Sequence, residues 1–191
     1  MATVVVPFRS GGKSRLPAEL RLEVALAMLG DVLEAATAFA TDVRLVTDDS
    51  AALLVADELG VEVVADPGEG QGPAVQAALA GVDGPCLVVN ADLPCATPDA
   101  LRLLASSGAA IVAAADGTTN ALSLPDPSRF HPLYGAGSAA RFAAAGLTVV
   151  AVPELENDVD TLADLDHLRL PVGRRTILVL NQHKGRLVGA P

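Results

Sequence analysis

Glycines and cations are concentrated near the start of the chain, just after an apolar, β-branched run at residues 3–8 that is typical of a buried strand. The loop that follows contains two glycines and three cations: Gly11, Gly12, Arg9, Lys13 and Arg15. A long helical pattern opens after it at Pro17, where a proline's missing N–H costs nothing. Backbone N–H groups and the helix dipole then point to where the side-chain cations lie. This stretch, entered at Pro7, predicts an anion site.

Acidic side chains stand at two places where they could hold a metal ion. Asp92 follows the strand-like run 86–90, and Pro94 then turns the chain. Asp158 and Asp160 immediately precede another helical pattern. Mg²⁺ takes one or two carboxylates and completes its shell with phosphate oxygens and water, so these aspartates predict a Mg²⁺ site beside a triphosphate. Two alternatives remain open: Asp92 as a surface turn residue, and Asp160 or Thr161 as a helix N-cap.

A glycine-rich stretch at residues 66–75 follows one strand-like run and precedes a helical pattern. Glycines such as Gly70 and Gly72 let the backbone approach a planar base or a ribose closely. Gln71 between them offers both a donor and an acceptor to a purine edge. The stretch predicts a site for the nucleoside, and the alternative is a plain loop before a helix that starts at Pro73.

Two further polar clusters, Thr118–Thr119 and Gly135 to Ser138, could hold a second and smaller anion. The second cluster opens a helical pattern, so its N–H groups and the Ser138 hydroxyl would face an anion, and the two threonines would add hydroxyl donors. Turn and capping chemistry is the alternative for both clusters. Together with the first loop, they suggest a nucleotide and a phosphorylated acceptor. Arg9, Lys13 and Arg15 are expected to act as catalytic groups that offset the repulsion between these two anions.

Strand-like and helix-like runs alternate along the chain. The strand-like runs are residues 3–8, 43–47, 61–65, 86–90, 109–115, 121–124 and 147–152. The helix-like runs are residues 18–40, 50–60, 72–81, 97–107, 137–145 and 161–169. This alternation predicts a three-layer α/β/α fold with a mainly parallel mixed sheet and a site at the carboxyl ends of its strands.

Two segments break this rhythm. Residues 116–137 contain three prolines and predict an insertion or a short hairpin over the mouth of the site. Residues 1–170 are expected to form a single domain. The tail, residues 171–191, contains a strand-like run at 176–180 and is open to three interpretations: an edge strand, an arm of a homodimer, or a disordered end.

Composition excludes several classes of protein. The 191 residues are 51% hydrophobic and 19% charged, which is typical of a globular domain. The net charge of −10 argues against a nucleic-acid partner. Cys86 and Cys95 have no metal-ligand spacing and are expected to be buried, reduced thiols. No signal-peptide pattern or apolar run near ~18 residues is present, so we expect a cytoplasmic protein without a membrane partner.

The motifs, taken in order, resemble the 2-phospho-L-lactate / phosphoenolpyruvate guanylyltransferases. They are VPFR at 6–9, GKSRL at 12–16, the loop 66–75, NADLP at 90–94, GTTNAL at 117–122, GAGS at 135–138 and DVDT at 158–161. The resemblance spans about residues 3–168 and implies a nucleotide-diphospho-sugar-transferase-like, Rossmann-like fold. It implies transfer of GMP from GTP to a phosphorylated three-carbon acid with release of pyrophosphate, a step in coenzyme F-420 biosynthesis. The alanine-rich, lysine-poor composition resembles that of proteins from high-GC, actinobacterial genomes. For family members from that group, the resemblance implies phosphoenolpyruvate rather than 2-phospho-L-lactate as acceptor.

The resemblance also implies roles for individual residues. Lys13 matches the motif lysine that holds phosphate, and Asp92 matches a metal carboxylate. One of Asp158 and Asp160 is implied as a second metal ligand, without a choice between them. The implied acceptor-binding positions are Thr119, Gly135 and Ser138.

The chain departs from the family pattern at two positions that matter for the site. Asn90 stands where an acidic residue is common, and Gln71-Gly72-Pro73 stands where many relatives have Gly-Leu-Asn.

Three other functions share parts of this sequence pattern with a guanylyltransferase. A P-loop NTPase is excluded because the Walker A motif needs a glycine five residues before Gly12, where Pro7 stands. A nucleotidyltransferase acting on molybdopterin or a sugar phosphate would keep the fold but is disfavoured by the threonine and Gly135 to Ser138 clusters. A non-catalytic nucleotide-binding regulator is disfavoured by the presence of Lys13 and the aspartates.

Overall fold

A computed structural model describes residues 2–10, 18–161, 164 and 168–187, with the backbone alone at residues 18, 19 and 184–187. Its centre is a mixed sheet of seven strands in the order β3-β2-β1-β4-β6-β5-β7. The strands are β1 (Thr3–Pro7), β2 (Asp42–Val46), β3 (Glu62–Val64), β4 (Cys86–Val89), β5 (Ala110–Ala113), β6 (Thr119–Leu124) and β7 (Thr148–Val149). All paired neighbours are parallel except β6, which runs antiparallel to β4 and β5.

Helices cover both faces of this sheet. They are α1 (Ala18–Phe39), α2 (Ser50–Leu59), α3 (Gln71–Leu79), α4 (Pro98–Ser106), α5 (Ser138–Ala144), α6 (Pro153–Glu156) and α7 (Arg174–Leu187). The predicted α/β/α fold with a mainly parallel sheet is therefore confirmed. The predicted helix at 161–169 lies largely outside the described residues. Among the described helices, none combines the length and apolar character that a bilayer-spanning helix requires.

The core consists of two apolar layers, one on each face of the sheet. Val4 and Val6 point into the layer that holds α1, α2 and α4, whereas Val5 points into the layer that holds α3 and α5. All three valines are fully buried. A strand covered on both faces reads as a continuous apolar run, which is why β1 shows no polar alternation. Cys86 and Cys95 are buried free thiols, as predicted.

The strand order reverses at β1, because β2 and β3 extend the sheet to one side and β4 begins the other. Loops that leave β1 and β4 at their carboxyl ends diverge at such a switch point, and a crevice opens between them. The chain leaves β1 at Pro7 and β4 at Val89. The residues immediately after those two strands are therefore placed at the edge of the crevice.

Residues 116–137 begin with the turn and the second strand of a hairpin, in which β6 pairs with the preceding strand β5. Its turn is closed by the Thr118 N–H, which donates to the Asp116 carboxylate at 2.9 Å. Because β6 also pairs with β4 and is buried along its whole length, an insertion over the site is wrong for this half of the segment. The other half, residues 125–137, is a loop with one 3₁₀ turn at Pro127–Arg129.

Helix α7 contains residues 176–180, where the sequence pattern favours a strand. The Asp31 side chain of α1 explains the difference, since it accepts hydrogen bonds from the backbone N–H of Arg175 at 2.8 Å and of Thr176 at 2.9 Å. These are N-terminal donors that a helix cannot satisfy internally. A distant carboxylate thus supplies the cap, and tertiary contact overrides the β-branched local pattern. The division between a domain at 1–170 and a tail at 171–191 stays a prediction.

We expect Asp31→Asn to change how the unfolding free energy depends on pH. Burial raises the pKa of Asp31, and hydrogen bonds from Thr176 and Arg175 offset only part of that rise. The folded protein then holds this proton more tightly than the unfolded chain, so wild-type stability falls as pH rises from the ordinary aspartate pKa through the raised one. Denaturant unfolding at a series of pH values should show the wild type losing stability relative to the variant. Parallel pH profiles would contradict this account.

Candidate active site

A cleft lies at the carboxyl ends of β1 and β4, and it brings together several residues that the sequence singled out. Pro7 and Arg9 reach it from the end of β1, Gln71 from the start of α3, and Asp92 from the loop after β4. Asp160, from the segment after α6, also lines it. Apolar side chains complete the wall, among them Phe8, Ala25, Met28, Ala74 and Ala91. A mostly apolar cleft with a few convergent polar groups is typical of a ligand site.

Three aspartates meet at one side of the cleft. Asp92, Asp158 and Asp160 each place a carboxylate oxygen within 4.8 Å of the others, which confirms that the fold brings the two predicted acidic groups together. A backbone hydrogen bond joins their loops, with the N–H of Val159 donating to the carbonyl of Asp92 at 3.0 Å. The geometry suits one cation held between carboxylates, and such hard oxygen ligands fit Mg²⁺ or a similar divalent ion.

The carboxylates of this cluster repel one another when they are ionised and no cation is bound. Burial raises the pKa of Asp158, and the neighbouring Asp92 and Asp160 raise it further. A hydrogen bond from Asn120 lowers it in part. Like charges held this close favour protonation of one member or binding of a cation. The cluster therefore has the electrostatic character of a site for a divalent metal.

Thr161 and Asp164 exchange hydrogen bonds directly after the cluster. Its hydroxyl oxygen accepts a hydrogen bond from the backbone N–H of Asp164 at 3.1 Å. The Asp164 carboxylate in turn accepts from the N–H groups of Asp160 at 2.9 Å and of Thr161 at 2.6 Å. This reciprocal arrangement is a capping box in which Thr161 is the N-cap. Of the two alternatives, the one that assigns the cap to Thr161 is thus supported, and the Asp160 carboxylate lies in the cluster.

Asn120 is a buried residue of this site that was not predicted from the sequence. Its side-chain NH₂ donates to the carbonyls of Leu155 at 3.1 Å and Glu156 at 3.0 Å, and lies 3.4 Å from Asp158 Oδ1. The residue thereby ties β6 to the end of α6 and orients the Asp158 carboxylate. The sequence offers one modest signal for a role of Asn120: it stands next to the apolar run 121–122, and asparagine is disfavoured inside a strand.

We expect Asn120→Ala to weaken divalent-metal binding on the order of 10-fold, because residues that orient metal ligands commonly have effects of that size. The buried Leu155 carbonyl and the partly buried Glu156 carbonyl would also lose their donor, at about 1–3 kcal/mol of stability. Titration calorimetry with Mn²⁺ and denaturant unfolding measure the two effects separately. Asn181→Ala, at an exposed position on α7, is the control. Unchanged Mn²⁺ affinity in the Asn120 variant would remove Asn120 from the site.

Gln71 and Asn90 are bonded to each other at the floor of the cleft. The Gln71 Nε2 donates to Asn90 Oδ1 at 2.7 Å, and the Asn90 side-chain NH₂ donates to the carbonyl of Thr119 at 3.2 Å. Asn90 therefore links the end of β4 to α3 and β6, and it positions Gln71. Position 90, where an acidic residue is common in the family pattern, thus carries an amide that positions Gln71. The carboxylates that lie near Asp92 are those of Asp158 and Asp160.

Arg9 holds the glycine-rich loop in place. Its guanidinium forms a bidentate ion pair with Asp66, with Nη2 at 2.6 Å from Oδ1 and Nε bonded to Oδ2. Asp66 is 2% exposed at its side chain and also accepts from the N–H of Gly68 at 2.9 Å. The Arg9 hydrogen bond is the main reason that the pKa of Asp66 is lowered. Arg9 lines the cleft, but its charge is already shared with Asp66.

Two glycines of the predicted nucleoside loop lie at the start of α3. Gly70 is the N-cap residue of that helix, and Gly72 lies in its first turn. A Cβ at position 72 would lie 2.6 Å from Cβ of Pro132, so only glycine allows the loop 125–137 to pack there. The contact places that loop beside the cleft.

The predicted acceptor residues lie around the start of β6 and the start of α5. Thr119 and Ser138 are buried and bonded to each other, with the Ser138 hydroxyl donating to Thr119 Oγ1 at 3.0 Å. Thr118 donates its hydroxyl to Asp116 at 2.6 Å, and Gly135 is exposed. None of these four lines the cleft in the described part of the chain. Their role as acceptor ligands stays a prediction. So does the role of Gly11, Gly12, Lys13 and Arg15, which lie outside the described residues.

Comparison with known proteins agrees with this architecture. Residues 11–169 match the sequence model of the MobA-like NTP transferase domain. The phosphoenolpyruvate guanylyltransferase of Geodermatophilus obscurus is 37% identical over 175 residues, which cover 86% of this chain and 81% of that protein. The one of Thermomonospora curvata is 40% identical over 174 residues, covering 82% and 76%.

Solved structures show the same fold at low sequence identity. A protein of Desulfovibrio desulfuricans G20 assigned as a nucleotide-diphospho-sugar transferase superposes with a TM-score of 0.67 at 17% identity, covering 97% of this chain and 96% of that one. A nucleotidyl transferase of Methanothermobacter thermautotrophicus gives 0.61 at 18%, covering 95% and 99%. The family model and the guanylyltransferase relatives together confirm the resemblance seen in the motifs: the chain belongs to the MobA-like NTP transferase family and is a nucleotidyltransferase.

Proposed function

We propose that this protein transfers GMP from GTP to phosphoenolpyruvate and releases pyrophosphate, a step of coenzyme F-420 biosynthesis. The observation that carries the proposal is the convergence of Asp92, Asp158 and Asp160 beside the cleft, in a chain whose relatives are named phosphoenolpyruvate guanylyltransferase. 2-Phospho-L-lactate is the alternative acceptor. A homodimer in solution is a further expectation.

The nucleotide would lie along the cleft from α3 to the acidic cluster. Gln71 and the backbone at Gly70 and Gly72 would meet the guanine or ribose, where Asn90 holds the Gln71 amide in one orientation. The triphosphate would lie towards the loop after β1, whose Gly11, Gly12, Lys13 and Arg15 supply N–H groups and positive charge. Arg9, paired with Asp66, would fix the shape of the loop that closes over the nucleoside.

The reaction needs little proton transfer. A phosphate oxygen of phosphoenolpyruvate attacks the α-phosphorus of GTP; a P–O bond to the acceptor forms while the bond to the β-phosphate oxygen breaks, and the electron pair leaves with pyrophosphate. The attacking oxygen is already an anion, so the chief obstacle is repulsion. Two unit charges ~4 Å apart repel by about 1 kcal/mol in water and about 4 kcal/mol at an effective dielectric near ~20. Lys13 and Arg15 would offset this charge while the cleft aligns the two phosphates.

Mg²⁺ is the cation that we propose for the cluster, held by Asp92 together with Asp158 or Asp160. When bound, it supplies positive charge to the α-phosphate and to the departing pyrophosphate. The chain's own part is to hold three carboxylates at fixed spacing, which Asn120 and the Val159 N–H do through Asp158 and Asp92. Thr119, Gly135 and Ser138 would bind the acceptor after a rearrangement that opens the Thr119–Ser138 contact.

The test is pyrophosphate release from GTP and Mg²⁺ with phosphoenolpyruvate, 2-phospho-L-lactate or 3-phosphoglycerate as acceptor. ATP and CTP replace GTP in parallel reactions, and chelation of the metal is the negative control. We expect release with GTP and phosphoenolpyruvate that chelation abolishes. Release with only 2-phospho-L-lactate would change the acceptor, whereas GTP binding without release for any acid would contradict the proposed activity.

We expect Lys13→Ala to weaken GTP binding on the order of 10- to 100-fold, because a charge-assisted contact to phosphate is lost. Turnover at saturating GTP should fall less than affinity, since the metal carboxylates remain. Fluorescence titration with a labelled GTP analogue measures affinity, and steady-state pyrophosphate release measures turnover. Lys184→Ala, which removes a lysine far from Lys13 in the sequence, is the control for loss of a lysine. Unchanged affinity and turnover in the Lys13 variant would exclude it from the site.

A further inference from the structure

The C-terminal helix α7 begins at Arg174, beyond the matched NTP transferase domain, which ends at residue 169. It packs along α1, the helix that contributes Ala25 and Met28 to the wall of the cleft. Its contacts show where it is anchored and which parts of the site it reaches.

The first anchor is the buried Asp31 of α1, which is 5% exposed and accepts the N–H groups of Arg175 and Thr176. Close approach is possible because residue 173 is glycine. A Cβ there would lie 2.2 Å from Cγ of Asp31 and 2.5 Å from both carboxylate oxygens. The entry to α7 therefore has one well-defined position against α1.

Side-chain hydrogen bonds and ion pairs join the rest of the helix to α1 and α2. The Arg175 guanidinium donates to Glu34 of α1 at 2.7 Å and to Glu58 of α2 at 2.7 Å. Two turns further along, His183 Nε2 lies 2.7 Å from a carboxylate oxygen of Glu23. The glutamates in these contacts are exposed, and exposed pairs contribute little stability individually, so we assign these contacts mainly to the alignment of α7.

The C-terminal segment touches both loops that carry the acidic cluster. At its start, the Gly173 N–H donates to the carbonyl of Pro94 at 2.7 Å, two residues after Asp92. Further along, Val179 packs against the apolar cluster of Leu20, Val24, Met28 and Val159. Val159 is fully buried and stands between Asp158 and Asp160 in the chain.

We infer that the segment from Gly173 through α7 is a positioning element of the metal site, which holds the loop of Asp92 and the loop of Asp158 and Asp160 at their mutual distance. The loops are joined to each other by the hydrogen bond from the Val159 N–H to the Asp92 carbonyl, and the C-terminal segment contacts one loop through Gly173 and the other through Val179. The inference rests on the proposed function only in assigning a divalent metal to the cluster. Small displacements of ligands weaken a metal site strongly, so loss of this support should appear first as loss of metal affinity.

The test compares two substitutions at neighbouring positions of α7. Val179→Asp places a charge against the buried cluster, whereas Leu178→Asp places the same charge on a side chain that is 50% exposed. Gly173→Ala is a second variant, which crowds Asp31 without adding charge and keeps the question answerable if Val179→Asp does not fold. For each protein, Mn²⁺ affinity is measured by calorimetry without nucleotide, and turnover is measured against Mg²⁺ concentration.

We expect Val179→Asp and Gly173→Ala to bind Mn²⁺ about 10-fold or more weakly than the wild type, because changes in residues that orient metal ligands commonly have effects of that size. Leu178→Asp should bind Mn²⁺ as the wild type does. Excess Mg²⁺ should restore much of the lost turnover, which it would not do if the helix served stability alone. The inference would be overturned if both variants kept wild-type Mn²⁺ affinity although proteolysis showed α7 to be detached. An equal loss of Mn²⁺ affinity in Leu178→Asp would also overturn it. If the wild type released no pyrophosphate, the proposed function would fail, but the Mn²⁺ comparison would still decide this inference.

Discussion

Asp92→Asn should lower pyrophosphate release on the order of 10²- to 10³-fold while the protein stays folded. The substitution keeps the size of the side chain and leaves the backbone hydrogen bond from Val159 to residue 92 intact. It removes one of three charges that lie within 4.8 Å of one another. A neutral amide oxygen is a poorer ligand for Mg²⁺ than a carboxylate, so the charge that offsets repulsion between the two phosphates is lost.

The expected loss corresponds to about 3–4 kcal/mol in the barrier. Steady-state release at saturating GTP, phosphoenolpyruvate and Mg²⁺ measures it, and thermal unfolding checks the fold. Asp99→Asn is a matched control, because that carboxylate is 92% exposed on α4 and lies outside the cleft. Near-native turnover of the Asp92 variant would show that Asp92 is not a metal ligand.

Asp158→Asn should have two opposite effects, a large loss of turnover and a gain of stability in metal-free protein. Burial and the charges of Asp92 and Asp160 raise the pKa of Asp158, so its ionised form is held at a cost when no cation is bound. Asparagine removes that cost and keeps an oxygen towards the Asn120 side chain. We expect the unfolding free energy to rise on the order of 1 kcal/mol at neutral pH and turnover to fall on the order of 10²-fold.

The sign of the pH dependence distinguishes this account from a general packing effect. Because the pKa of Asp158 is raised in the folded state, wild-type stability falls as pH rises through the window above the ordinary aspartate value. The advantage of the variant should therefore be present at neutral pH and disappear in acid, where Asp158 is protonated in both states. Added Mg²⁺ should stabilise the wild type more than the variant. A variant that is less stable than the wild type without metal at neutral pH would contradict the account.

Much of the fold and the acidic part of the site could be predicted from the sequence. The run before Asp92 is apolar and short, so it reads as a buried strand, and parallel sheets place such strand ends at one edge. Asp158 and Asp160 could therefore be expected to meet Asp92 at that edge of the sheet. This logic needs only local pattern and the general rules of α/β topology, which is why it succeeded for the cluster and for the sheet.

Interactions between distant residues could not be predicted in this way. The helix at Arg174–Leu187 depends on Asp31, more than 140 positions earlier in the chain, which supplies a cap that no local pattern shows. Asn120 likewise works through Asp158, 38 residues later. The bond between Gln71 and Asn90 joins two residues that the sequence treats as separate features. In each case a polar side chain acquires its role from a partner that only the folded chain brings near.

The central claim is that the three aspartates hold the metal of a guanylyl transfer. Anomalous diffraction from crystals of the protein with Mn²⁺, a non-hydrolysable GTP analogue and phosphoenolpyruvate tests it most directly. The account predicts an anomalous peak at roughly 2.0–2.3 Å from oxygens of Asp92 and of Asp158 or Asp160, and in contact with the α-phosphate. A peak bound to the phosphates alone, or at another set of carboxylates with the cluster empty, would contradict it.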